Sequence, residues 1–165
     1  MDELSQQVER LAQRVVHEYS AAGKTVCTAE SCTAGMFAAA IGGVSGASEV
    51  LLGGAVTYCD EIKHKVLGVS PETLQSFTAV SWQTAQEMAV GSRKLYGADV
   101  AVSLTGYAGP GGGTAQDPAG TVYLGVSSGE GIASERFFYE GSRNQVRMAA
   151  TARALELMLA ALETL

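Results

Sequence analysis

The stretch SGASEVLLGGAVTYCDEIKHK, Ser45 to Lys65, joins two kinds of local structure within twenty-one residues, and its reading sets the fold class. Val50 to Thr57 is apolar apart from its two glycines and final threonine, which predicts a buried strand. Asp60 to Leu67 carries helix formers and meets a stop at Gly68, so a helix follows the strand directly. The same stretch holds a nucleophile candidate, Ser48, and a base candidate, Lys63, and strand plus helix are expected to fold the lysine back toward the serine. A serine nucleophile needs its proton removed, and a lysine accepts it only when neutral, which calls for an apolar pocket. Val50, Leu51, Leu52, Ala55 and Val56 supply such surroundings for Tyr58 and Lys63. A turn serine and a surface lysine fit the same spacing.

Outward from this unit, Leu4, Val8, Leu11, Val15 and Val16 recur at helical spacing and predict a first helix from Glu3 to Ala22, ended by Gly23. Thr25 to Thr28 reads as a short strand and Thr33 to Ile41 as an alanine-rich helix. Ser70 before Pro71 starts a helix, and Ser81 starts another that runs to Tyr96 and stops at Gly97. Val100 to Leu104 is a strand, followed by a glycine-rich loop from Gly106 to Gly120. A hairpin of Thr121 to Ser127 and Ile132 to Tyr139 turns at Gly129 to Gly131. Ser142 with Gln145 three residues on marks a capping box for a long closing helix. Alternating helices and strands followed by a hairpin predict an α/β fold, a layered domain with a mixed sheet.

The chain has 165 residues, 47% of them hydrophobic, enough for one domain with a substantial core. With 11 basic against 17 acidic residues and no basic run, no nucleic-acid partner is expected. No apolar run has the length of a membrane span, and the N-terminus begins acidic and amphipathic, so no membrane partner and a cytoplasmic location are expected. Cys27, Cys32 and Cys59 form no even disulfide framework and no zinc spacing, so reduced thiols and no metal are expected. Cys32 near a helix start also keeps open a reactive thiolate.

Three further groups look chemical. TGYAGPGGGT, Thr105 to Thr114, holds five glycines after a strand, which lets backbone amides approach a ligand or an anion. It is neither a P-loop nor a dinucleotide fingerprint, and a plain surface turn has the same composition. Arg143 and Arg147 share a face at the start of the last helix, where cations oppose the helix dipole, a placement that a bound anion explains. Solvation or a salt bridge to Glu140 is the alternative. Glu30 and Ser31, in TAESCTAG, stand at a strand-to-helix junction, where Ser31 or Cys32 reads most simply as a cap and Glu30 as a group that orients a substrate or a lysine. His17 and His64 have no serine motif spaced to them, and Trp82 reads as a packing residue.

Taken in order, TAESCTAG (28–35), GGAVTYCDEIKHKVLGV (53–69), SLTGYAGPGGGT (103–114), PAGTVYLGV (118–126) and GSRNQVR (141–147) resemble the CinA C-terminal domain family, whose stand-alone members are nicotinamide-nucleotide amidases. The resemblance covers nearly the whole chain. It implies a three-layer α/β/α fold and hydrolysis of the carboxamide of nicotinamide mononucleotide to nicotinic acid mononucleotide and ammonia by a serine/lysine mechanism without metal or cofactor. Under it, Ser48 is the nucleophile, Lys63 accepts its proton, and Tyr58 relays the proton or positions the amide. Glu30, Ser31, Thr105, Gly106, Gly109, Gly111, Gly112, Arg143 and Arg147 bind the substrate, with Arg143 suited to its phosphate. Relatives imply a homodimer, to which the alanine-rich helix is suited. Ser45, Ala47, Cys59, Asp117 and Ser142 depart from residues common in relatives and bear on substrate preference. The fused N-terminal domain of longer CinA proteins, and its activity, is expected to be absent. A noncatalytic nucleotide-binding or regulatory domain and an amidase for another small amide are the competing functions.

Overall fold

The structure is a computed structural model that describes residues 1–165. Its centre is a five-stranded sheet in the order β2-β1-β3-β4-β5, with β1 at Val26–Glu30, β2 at Leu51–Val56, β3 at Val100–Gly106, β4 at Thr121–Ser128 and β5 at Gly131–Phe138. β1 lies parallel to both β2 and β3, while β4 pairs antiparallel with β3 and with β5, which gives the expected mixed sheet. On one face pack α1 (Glu3–Ala22), α2 (Met36–Gly42) and α6 (Arg143–Leu162). On the other lie α3 (Asp60–Leu67), α4 (Pro71–Phe77) and α5 (Trp82–Tyr96).

Local chemistry accounts for most of these boundaries. Gly23, Gly68 and Gly97 close α1, α3 and α5 in the left-handed conformation that glycine adopts without steric cost. Ser70 and Ser81 cap α4 and α5, and Ser142 with Gln145 forms the predicted capping box of α6. Three boundaries differ from expectation by two residues or more, and β3 is one of them, running to Gly106 rather than Leu104 because its pairing with β4 continues there. β1 continues to Glu30 rather than ending at Thr28, because its pairing with β2 and β3 persists to that residue. α2 begins at Met36 rather than Thr33, since Ala34 and Gly35 take positive φ values of 48° and 98°, which no helix accommodates. Trp82 is also not the packing residue expected: it opens α5 half-exposed.

The main core lies between the sheet and the α1/α2/α6 layer, where Tyr19, Phe37, Ile41, Leu104, Leu124, Leu155 and Met158 are fully enclosed. Tyr19 anchors this layer by donating to Met158 O at 2.5 Å. On the opposite face Ala29, Ala55, Leu67, Val69 and Met88 form a smaller cluster that seats α3. The contact between α3 and α5 depends on Gly91, where a Cβ would stand 1.9 Å from Leu67 O. Gly91→Ala is therefore expected to push α3 off α5 and to lower stability by about 1–3 kcal/mol. A fall in the urea midpoint at unchanged slope checks this.

Candidate active site

The carboxyl ends of β1, β2 and β3 meet at one edge of the sheet, and β1 is the point where the chain connections diverge to either side, the usual place for a ligand crevice in an α/β sheet. A cavity of about 220 Å³ opens there. Ser31, Lys63, Thr105, Gly106, Gly109, Gly111, Tyr58 and Arg143 are among its lining. A larger groove of about 1040 Å³ between α3 and α5 contains no serine or cysteine.

Lys63 is the dominant feature of the cavity. Its residue is 1% exposed, yet its Nζ reaches only two partners: Thr57 O at 2.7 Å and Ser31 Oγ at 3.1 Å. No carboxylate pairs with it. Burial depresses its pKa below the ordinary 10.5, because removing an ammonium from water favours the neutral amine, while Asp60, Cys59 and Cys32 pull weakly the other way. A neutral amine in this geometry donates one hydrogen to Thr57 O and offers its lone pair to the Ser31 hydroxyl, which is the arrangement that activates a serine.

Ser31 occupies this place because β1 and β2 are parallel and in register. Glu30 lies beside Val56, so the residues that follow, Ser31 and Thr57, leave the sheet side by side. Ser31 N donates to Leu104 O and Thr57 N to Glu30 O, which fixes both backbones. The expected pairing of Ser48 with Lys63 is thus replaced by Ser31 with Lys63. Ser48 sits in a single 3-10 turn at Ala47–Glu49, at the opposite end of β2. At about 3.3 Å per residue the strand separates it from Thr57 by roughly 20 Å. Ser31 caps no helix.

Glu30 performs the capping, and from outside the helix. Its side chain is buried beneath α2, accepting from Gly35 N, Phe37 N and Ala38 N at 3.2, 2.9 and 3.0 Å, with Thr28 Oγ1 donating at 3.4 Å. A carboxylate there satisfies orphan donors at the positive end of the helix and holds the 31–35 turn against the sheet. Glu30 does not line the cavity, so it positions the turn rather than a substrate.

The two arginines divide. Arg143 lines the cavity mouth, donating to Gly109 O and to Tyr58 Oη, both at 2.9 Å. Arg147 lies outside the lining and is spent on the turn, donating to Cys32 O and Thr33 O at 3.0 Å each. Neither bonds Glu140. Tyr58 is 56% exposed at the rim and makes no hydrogen bond to Ser31 or Lys63, which removes it from the proton-relay position. Thr105 is held by its own hydroxyl, which donates to Ala79 O at 2.6 Å. Gly106, Gly109 and Gly111 line the cavity and Gly112 does not. Cys32 is buried, and burial pushes its thiol up to about 11, which opposes the thiolate reading. Asp117 is tied to Arg136 and Tyr123.

The CinA C-terminal domain model matches residues 8–162. A CinA-like protein of Myxococcus xanthus is 44% identical over 151 residues, covering 91% of this chain and 36% of its own. One from Thermotoga maritima is 43% identical over 148 residues, 90% of this chain and again 36% of its own, so the chain spans about a third of the length of these relatives. Among solved structures, the competence/damage inducible protein CihA from Agrobacterium tumefaciens superposes with a TM-score of 0.91 at 42% identity over 95% of this chain and 96% of its own. A CinA superfamily protein from Klebsiella pneumoniae gives 0.92 at 37% identity over 96% and 99%.

Glu30→Gln replaces one of two acceptor oxygens by a donor that faces the α2 N–H groups. It is expected to lower unfolding free energy by about 1–3 kcal/mol, measured by urea denaturation.

Proposed function

The chain belongs to the CinA C-terminal domain family, and we propose that within it this protein is an amidase that hydrolyses the carboxamide of nicotinamide mononucleotide to nicotinic acid mononucleotide and ammonia. The observation that carries this reading is the carboxylate-free, buried Lys63 amine 3.1 Å from Ser31 Oγ at the cavity wall.

In the proposed reaction Lys63 takes the Ser31 proton as Oγ attacks the carboxamide carbon. The oxyanion is assigned to the N–H of Cys32, which follows the nucleophile and has no backbone acceptor within the chain. Lys63 then passes its proton to the amide nitrogen, the C–N bond breaks, and ammonia leaves an ester on Ser31. Water, deprotonated by Lys63, attacks that ester, and the returning proton restores the Ser31 hydroxyl as the acid departs. A cavity of about 220 Å³ accommodates a ring and its amide but leaves a phosphoribosyl group at the mouth. The exposed Arg143 and Tyr58 stand there, a cation and a hydroxyl suited to phosphate and ribose.

Ammonia release from nicotinamide mononucleotide tests this. Wild type and Ser48→Ala are expected to turn over, while Ser31→Ala and Lys63→Met lose roughly 10³-fold or more in kcat. Turnover that survives Ser31→Ala, or well-folded wild type that releases no ammonia, contradicts the reading.

The sign of the pH dependence follows from Lys63. A base whose pKa is lowered from 10.5 is protonated and inactive below its own pKa and active above it. The rate is therefore expected to fall on the acid side with a midpoint under 10.5, as a pH profile of kcat measures.

A further inference from the structure

One wall of the cavity has no part in the reaction above: the short link between α4 and α5. Ala79 and Val80 of this link line the cavity, and Val80 is the one branched aliphatic residue of the lining. The link is held under strain. Thr78, its first residue, stands at φ 69° and ψ 173°, a region that glycine visits and that a β-branched residue keeps only when its surroundings hold it there. Those surroundings are three buried hydroxyls. Thr84, fully enclosed in the first turn of α5, donates to Thr78 O at 2.7 Å, and Ser81 Oγ stands 3.2 Å from the same oxygen. Thr105 donates to the next carbonyl, Ala79 O, at 2.6 Å. Two successive carbonyls are thus pinned, and they fix the backbone that carries Val80. Ser81 is also the cap of α5, and Thr105 itself lines the cavity. Thr84 does neither, and its hydroxyl proton goes to the link.

We propose that Val80 is the residue against which the substrate's ring lies, and that Thr84 is a positioning residue that holds Val80 in place without touching substrate. The proposal takes its substrate from the amidase reading. With the carboxamide at Ser31 and the phosphoribosyl group at the mouth, the ring lies between them. Because Glu30 pairs with Leu104, Thr105 follows on β3 beside Ser31, so the wall that Thr105 holds stands next to the nucleophile. A ring bound there exchanges water on one face for the Val80 side chain, an apolar contact that fixes how the ring is placed and does no chemistry. Loosening the wall therefore weakens binding more than it slows the bond-breaking steps.

The test reads KM and kcat for ammonia release from nicotinamide mononucleotide beside the Kd of nicotinic acid mononucleotide by calorimetry. Val80→Ala and Thr84→Val are each expected to raise KM and Kd about tenfold and to change kcat by less than about twofold. Thr84→Ser, which keeps the donor, is expected to hold the wild-type values. The double variant Val80→Ala/Thr84→Val is expected to bind no more weakly than Val80→Ala, since Thr84 acts only through the side chain already removed. Wild-type binding by Thr84→Val, a Thr84→Ser as weak as Thr84→Val, or a double variant whose loss equals the product of the two single losses overturns the proposal. A wild type that binds the mononucleotide without releasing ammonia removes the amidase reading, and the Kd values then decide the role of the wall. A wild type that neither binds nor turns over overturns both. If circular dichroism shows that Thr84→Val does not fold, methyl NMR of wild type decides. Ring-current shifts of the Val80 methyls on adding nicotinic acid mononucleotide support the contact, and unmoved methyls overturn it.

Discussion

One buried amine organises this molecule. An ammonium taken from water without a countercharge is destabilised relative to the neutral amine, and Lys63 has no carboxylate partner. The surroundings that make its charge expensive are those that favour the neutral amine, the form that the proposed role as base requires. Its two partners suit either protonation state: the protonated form donates to Thr57 O and Ser31 Oγ, and the neutral form donates to the first while accepting from the second. A proton can therefore pass between serine and lysine with no heavy atom moving, so little reorganisation opposes the transfer.

The rest of the fold is arranged to keep that pair in place. Gly91 lets α3 lie close on α5, which brings Lys63 to the carboxyl end of β2. The turn that bears Ser31 is gripped from two directions. Glu30 holds it from the sheet through the N-terminus of α2, and Arg147 holds it from α6 through Cys32 O and Thr33 O. Both are charged groups used as backbone clamps, and both stand outside the cavity lining. Arg143, one turn before Arg147, remains at the cavity mouth with Tyr58.

Much of the fold was legible because its signals are local. A serine cap, a capping box and a glycine stop each act within one turn, and α1, α3, α5 and α6 fall where those residues place them. The start of α2 is not legible in its neighbouring residues, because its cap comes from Glu30, six residues upstream on a strand. The site was half legible for a related reason. Lys63 and the TAESCTAG motif stood out, but Ser48 is nearer to Lys63 in sequence, while Ser31 reaches it across a strand register. Parallel strands bring together the residues just past their carboxyl ends, so two strand-to-helix junctions, at Ser31 and at Thr57, were the signal to follow. The arginine pair was sorted only by carbonyls far away in sequence.

The most direct measurement is an NMR titration of the Lys63 side chain, labelled at carbon, in the unliganded protein. A midpoint below the ordinary 10.5 is expected, since burial without a carboxylate favours the neutral amine. A midpoint at or above 10.5 means that the amine holds its proton as tightly as in water, and it contradicts Lys63 as the base for Ser31.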